Sequence, residues 1–206
     1  MKLVVLQHPL AQCHLTVIRQ QSTEPAEFRA GIRRLTMLLA CEATRQLAVA
    51  AIEVETPLAR CAGQQLAARI GLVPILRAGL GMVDPLLELI PQAEVWHLGL
   101  YRDEDTAEPI QYYSKLSNQS PVDVAFVLDP MLATGGSTAL ACQTLKAWGA
   151  QQIHVLSVIS APEGIAAVQT RHPDVQIWTC VVDERLNERK FIVPGLGDAG
   201  DRIFNT

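Results

Sequence analysis

The sequence predicts an α/β fold in which a parallel central sheet is covered by helices on both faces. Two observations predict it. Apolar runs of strand length recur between segments of helical periodicity, with Val122–Leu128 the cleanest of them. These runs are almost continuously apolar rather than alternating, as strands buried on both faces must be. A chain of 206 residues, 49% apolar and 18% charged, can bury one sizeable core.

The elements follow in order. MKLVVLQHPL at the N-terminus is a short apolar run without a signal-peptide cleavage region. Residues 25–48 read as an amphipathic helix, with Phe28, Ile32, Leu35 and Leu38/Leu39 on one face and Arg29, Arg33 and Arg34 outside. Pro25 suits its first turn. Arg69–Ile75 is an apolar strand, followed by a helical stretch over about 80–90 and a strand over Glu94–Leu100. Pro109–Tyr113 suggests a projecting hairpin, and Tyr112 and Tyr113 read as packing residues for that arm. Val122–Leu128 leads through a short loop into a helix over about 137–148, which Gly149 stops. A strand over Ile153–Ile159, a helix over Pro162–Arg171 and a strand over Val175–Val182 complete the alternation. No repeat or linker divides the chain, so one domain over 1–206 is expected.

Composition excludes several classes. The net charge is −4 and no Lys/Arg-rich block occurs, so no nucleic-acid partner is expected. No run approaches the roughly 18 apolar residues of a membrane span, so no membrane association is expected, and a cytoplasmic location is. Cys13, Cys41, Cys61, Cys142 and Cys180 are odd in number and widely spaced. They read as reduced, mostly buried thiols rather than a disulfide framework or zinc site. No histidines sit at metal-ligand spacing, and His97 reads as a strand residue.

In parallel sheets ligands sit beyond the carboxyl ends of the strands. There, VDVAFVLDPMLATGGS (Val122–Ser137) delivers Asp129 to a strand end, then Thr134, Gly135 and Gly136, before Ser137 opens a helix. Glycines let several N–H groups converge on one anion, and the helix N-terminus adds partial positive charge. This is a cradle for a monophosphate. It is neither a Walker A loop, which needs a lysine after the second glycine, nor a GxGxxG fingerprint. An acid beside a phosphate loop makes sense if Asp129 faces ribose hydroxyls or Mg²⁺.

DPMLATGGS resembles the phosphoribosyl-pyrophosphate (PRPP) motif of type I phosphoribosyltransferases, and in particular that of uracil phosphoribosyltransferases. The resemblance covers nearly the whole chain. It implies the type I fold, with a core over about 60–182 and a small hood from about 1–50 and 183–206. It implies PRPP contacts from Asp129, Pro130, Met131, Leu132, Ala133, Thr134, Gly135, Gly136 and Ser137. VPILRAGLG looks like the pyrophosphate loop, with Arg77, Ala78 and Gly79 facing the diphosphate. LGLYRDEDTAEPIQYY resembles the segment whose arginine, here Arg102, reaches the same group. Asp103–Asp105 reads as a solvated acidic turn.

FIVPGLGDAGDRIFNT resembles the base-binding signature, with Ile192, Gly197 and Ala199 on the base and Asp198 between base and PRPP. Rich in glycine, it reads as a loop presenting backbone N–H and C=O groups to uracil. His8–Leu10, Phe28–Arg29 and Glu42–Ala43 match as structural parts of the hood. Asp129, Arg102 and Asp198 are the implied catalytic residues. Mg²⁺ held mainly by PRPP is the implied cofactor, with no protein ligand assigned. A homo-oligomer is expected, and GTP, an effector of some relatives, is a candidate effector here.

The chain departs from the DxGLNExGYI pattern over 183–192. Arg185 and Arg189–Lys190 replace small residues, Phe191 replaces tyrosine, and Asn205 replaces glycine in the final FGT. Three rival readings stay open: a phosphoribosyltransferase for another base, a PRPP- or nucleotide-sensing regulator of the same fold, and a catalytically impaired paralogue. The acidic pI of about 5.7 argues against an RNA-binding regulator.

Overall fold

The computed structural model describes residues 3–102, 109–114, 116 and 120–206, with backbone alone for 100–102 and 109–114. Its strands are β1 (Leu3–Val5), β2 (Val49–Glu55), β3 (Arg60–Leu66), β4 (Ile70–Leu76), β5 (Glu94–Val95), β6 (Leu98–Arg102), β7 (Pro109–Ser114), β8 (Val124–Leu128), β9 (Met131–Leu132), β10 (Gln152–Ser160), β11 (Gln176–Val182), β12 (Arg185–Leu186) and β13 (Ile192–Val193). Its helices are α1 (Pro9–Arg19), α2 (Pro25–Ala43), α3 (Val83–Leu89), α4 (Gly136–Trp148), α5 (Pro162–Arg171) and α6 (Ala199–Phe204).

The main sheet runs β1-β11-β10-β8-β4-β6-β7 and is parallel up to its edge, where β7 pairs antiparallel with β6. Strand alternation divides the core between the two faces. Val124, Phe126 and Leu128 of β8 join Phe28, Ile32 and Leu35 of α2 on one face. Ala125 and Val127 join Ala141, Cys142 and Leu145 of α4 on the other. Full burial of side chains such as Phe126 and Leu128 contributes roughly 1.5–3 kcal/mol each. The central β8 is therefore anchored from both sides, and the loop that follows it inherits that rigidity.

The helices 136–148 and 162–171 and the strands around 124–128, 152–160 and 176–182 agree with the sequence reading to within about two residues. Gly149 ends α4 at φ 109°, in the left-handed region where glycine alone is at ease. The helix expected over 25–48 stops at Ala43, and the stretch expected over 80–90 opens with a 3₁₀ turn over Ala78–Met82. Three features escaped the sequence reading: β1, α1 and the two-stranded β2–β3 hairpin. Residues 3–43, expected in the hood, also supply β1 and the helix that covers one face of the sheet. Pro109–Tyr113 does form an antiparallel strand, and it lies at the edge of the main sheet.

Two expectations need correction. Cys142 and Cys180 are buried, but Cys13, Cys41 and Cys61 are exposed, so most of the thiols are not core residues. Cys61 sits on β3 of an open hairpin, a strand exposed at six of its seven positions. Burial pushes the Cys142 and Cys180 thiols up to about 12, which leaves them unreactive. The C-terminal segment is also not wholly loop: β13 pairs with β12, and Asp198 caps α6 by accepting the Asp201 N–H at 3.0 Å. A short helix tolerates Gly200 here because Ala199, Gly200 and Ile203 are buried against the body of the protein. The acidic turn 103–105 lies outside the described residues, as do the side chains of Tyr112 and Tyr113.

Candidate active site

The carboxyl ends of β4 and β8 and the C-terminal segment enclose one cleft of about 490 Å³. It is lined by Arg77 and Ala78 after β4, by Asp129, Met131, Ala133 and Ser137 after β8, and by Asp198, Ala199 and Gly200. Arg189, Lys190 and Phe191, from the turn between β12 and β13, line it as well. The phosphate loop and the C-terminal signature, far apart in sequence, therefore face the same space.

The phosphate loop is built on the backbone of β10. Pro130 O accepts from Val158 and Ile159 N–H, and Ala161 N–H donates to Leu132 O. Met131 N–H is taken by Asp129 Oδ1 at 3.1 Å, Leu132 N–H by Ser157 Oγ at 3.0 Å, and Ala133 N–H by Met131 O at 3.1 Å. These three amides are engaged within the protein and hold the loop's shape. Pro130 and Leu132 are buried and do not line the cleft. Gly135 is the N-cap of α4 at φ 78°, and no side chain caps that helix. A Cβ on Gly135 would lie 2.6 Å from Gly164 O, so glycine is required for both space and backbone. The first-turn amides of α4, which have no partner within the helix, open at the cleft where Ser137 lines it.

Arg77 follows β4, after a cis Leu76–Arg77 peptide bond. Its guanidinium reaches Asp201 Oδ1 at 3.0 Å and Thr206 Oγ1 at 3.3 Å. The arginine expected at the diphosphate is thus latched to the C-terminal helix. Gly79 does not line the cleft: a Cβ there would overlap Leu128 O, so this glycine lets the 3₁₀ turn pack on the end of β8. Arg102 is the last residue of β6, and its side chain lies outside the described residues.

The base side depends on residues the sequence reading did not single out. Arg19 at the end of α1 pairs with Asp183 at 2.5 and 2.9 Å and donates to Gly195 O at 2.8 Å. Asp183 accepts the Gly195 N–H at 2.9 Å, and its side chain is only 4% exposed. Arg202 donates to Ile18 O, Leu196 O and Gln20 O at 2.5–2.7 Å, with its guanidinium 4.2 Å from the centre of the Phe28 ring. Arg29 donates to Ile203 O at 2.9 Å. Phe28 and Arg29 thus both contact the C-terminal segment. His8 caps α1 by accepting the Leu10 N–H. A glycine-rich loop exposes carbonyls that need donors, and asking which arginines serve them could have found Arg19 and Arg202. Ile192 is buried and Gly197 exposed, and neither lines the cleft directly.

No group of three His, Cys, Asp or Glu able to hold a metal occurs among the described residues. The acids at the cleft, Asp129 and Asp198, suit the other mode, in which Mg²⁺ keeps waters and is held mostly by substrate phosphates with one or two carboxylates. Among the described residues no helix is long and apolar enough to cross a membrane.

Comparison with known proteins agrees with this geometry. The family model described as uracil phosphoribosyltransferase matches residues 5–206. The chain is 54% identical over 205 residues to the uracil phosphoribosyltransferase of Roseiflexus sp. (strain RS-1), covering 100% of this chain and 99% of that one. It is 51% identical over 206 residues to that of Symbiobacterium thermophilum, again covering 100% and 99%. A solved protein from Aquifex aeolicus superposes with a TM-score of 0.93 at 35% identity, over 98% of this chain and 97% of that one. The adenine phosphoribosyl transferase of Trypanosoma brucei shares the fold alone, with a TM-score of 0.58 at 13% identity over 96% and 88% of the two chains. The chain belongs to the uracil phosphoribosyltransferase family.

Proposed function

We propose that the chain joins N1 of uracil to C1 of the PRPP ribose, giving UMP and pyrophosphate in a Mg²⁺-dependent pyrimidine-salvage reaction. The observation that carries this reading is the single cleft lined by the phosphate loop, by Asp129 and Arg77, and by Asp198 and Ala199 of the base segment. Residues 134–137 anchor the 5′-phosphate, so that binding far from the reacting carbon is converted into orientation. Asp129 orients the ribose hydroxyls and stabilises positive charge on the ring as the C1–oxygen bond breaks. Arg77, released from Asp201 and Thr206, and Arg102 receive the departing diphosphate. Mg²⁺ bound with the diphosphate offsets the same negative charge. Uracil N1 loses its proton as the N–C bond forms, and we assign its uptake to Asp198, whose carboxylate lines the cleft.

Backbone groups around Ile192, Gly197 and Ala199 select the base. Uracil needs an acceptor for N3–H and donors for two carbonyls. Cytosine reverses the pattern at N3 and C4, leaving buried groups unpaired at roughly 1–3 kcal/mol each. The protein works as a homo-oligomer, a reading supported by the β2–β3 hairpin, which exposes Val49, Leu58 and Leu66, and a cytoplasmic location goes with the family assignment. GTP is a candidate effector, tested by adding it to the assay.

Labelled uracil incubated with and without PRPP, alongside other bases, tests the reading. Turnover should require both PRPP and Mg²⁺ and should favour uracil. Asp129→Asn should lower kcat/KM by about 100-fold, a loss of roughly 2.7 kcal/mol of transition-state stabilisation, with unchanged thermal unfolding. Wild-type kinetics in that variant would remove Asp129 from the mechanism.

A further inference from the structure

The turn between β12 and β13 places two cations on the cleft, Arg189 and Lys190. Its shape is fixed by Asn187: Asn187 N–H donates to Phe191 O, Lys190 N–H to Asn187 O, and Phe191 N–H to Asn187 Oδ1. Within it Lys190 adopts φ 65°, a left-handed conformation that disfavours any residue with a Cβ. A long charged side chain kept at such a position, and facing a cleft, is a reason to look for its function.

Arg19, Arg33, Arg45, Arg60, Arg69, Arg77 and Lys146 each form an ion pair, but among the described residues Arg189 and Lys190 form none. The charged groups lining the cleft are Arg77, Arg189 and Lys190 against Asp129 and Asp198. Without the pair on the turn, the described lining would carry net negative charge, a poor receptor for a polyanion.

Topology sets the hairpin beside the phosphate loop. Leu186 N–H donates to Glu163 Oε1 at 2.9 Å, so the hairpin rests on the first turn of α5. The neighbouring Gly164 packs against the carbonyls of Leu132 and Ala133 and against Gly135, so the phosphate loop rests on that same turn. The Glu163 carboxyl is held below its usual range, first by the Leu186 N–H and also by the nearby charges of Lys190 and Arg185. In the sheet β10, which leads into α5, lies on one side of β8, and β4, which carries Arg77, lies on the other.

We infer that Lys190, with Arg189 beside it, binds the 5′-phosphate of the sugar-phosphate substrate from the side opposite Arg77. This rests on the proposed transferase reaction and adds a phosphate contact supplied by the hairpin. The pair positions the substrate and takes no part in bond making.

The test compares wild type with Lys190→Gly, Lys190→Arg and the double variant Arg189→Ser/Lys190→Gly. PRPP affinity is measured by calorimetry with Mg²⁺, a readout that needs no turnover and therefore separates this inference from the choice of base. The double variant should bind PRPP about 5- to 20-fold more weakly. In turnover its KM for PRPP should rise in parallel, with kcat and the KM for uracil within twofold of wild type. Inhibition by UMP, which carries only the 5′-phosphate, should weaken as well, while inhibition by pyrophosphate holds. Lys190→Arg should restore most of the affinity, and Lys190→Gly should not lower Tm, because glycine suits the left-handed backbone. Unchanged PRPP affinity in the double variant, or weakened pyrophosphate inhibition with UMP inhibition intact, would overturn the assignment.

Discussion

On the phosphate side of the cleft, residues 129–133 are held by main-chain hydrogen bonds to the end of β10, with Asp129 Oδ1 and Ser157 Oγ as side-chain acceptors. On the base side, residues 195–204 are held by guanidinium groups: Arg19 and Arg202 on loop carbonyls, and Arg29 on Ile203 O. The contrast follows from what each segment has to offer. A loop leaving a central parallel strand has neighbouring backbone within reach. A terminal segment that folds back over the core from outside the sheet does not, so long donors must come out to meet it. A site made by main chain should tolerate side-chain changes and fail when its glycines change. A site tied by side chains should fail when one tie is cut.

The largest effect is expected on the base side. Arg19→Ala removes both guanidinium contacts to Asp183 and leaves that nearly buried carboxylate with the Gly195 N–H. Breaking such a pair from one side costs about 3–5 kcal/mol. For a chain of this size thermal unfolding should fall by roughly 10 °C, and the KM for uracil should rise more than that for PRPP. Arg19→Ala/Asp183→Ala should recover part of the stability, since the stranded charge is gone. Equal stability of Arg19→Ala and wild type would mean that the base segment is held by something other than its arginines.

On the phosphate side, Gly135→Ala should cost about 2 kcal/mol, because a Cβ at positive φ also meets Gly164 O. Ser137→Ala, one residue inside the same cradle, should change stability by no more than about 0.5 kcal/mol and raise the KM for PRPP a few-fold. Chemical denaturation of the two variants side by side gives the comparison directly. If the serine variant were the less stable of the two, the cradle would be side-chain-built after all.

The same distinction governs how much the sequence revealed. The helices and longer strands flanking the phosphate loop were legible, because apolar runs, Gly149 and Pro162 punctuate the chain there, whereas the two-residue β9 inside the loop was read as loop. The loop's glycines and Asp129 were legible for the same reason. The residues that secure the base side were not. Arg19 and Asp183 are 164 positions apart, and Arg202 and Ile18 are 184 apart, so no local pattern announces either contact. The β2–β3 hairpin was missed because it contacts solvent on most of its surface and carries no continuous apolar run. At Gly79 the sequence showed that backbone approaches something closely, and on the side where a Cβ would stand that neighbour is Leu128 O.

The smallest effect concerns a place where the base side leans on its backbone rather than on its arginines. Asn205 ends α6 at φ 59°, its N–H bonded to Asp201 O at 2.7 Å, and Thr206 N–H reaches the same carbonyl at 3.2 Å. This turn presents Thr206 and Asp201 together to Arg77. Asparagine enters the left-handed region more easily than most residues with a Cβ, which explains why the chain keeps its turn without the glycine of the family pattern. Asn205→Gly should therefore change stability by no more than about 0.5 kcal/mol, and Asn205→Ala should cost about 1 kcal/mol. Both lie well below the loss expected for Arg19→Ala. Denaturation midpoints for the three variants would rank the two kinds of fastening within one segment. An Asn205→Ala loss as large as that of Arg19→Ala would show that backbone conformation, and not the arginines, sets the stability of the base side.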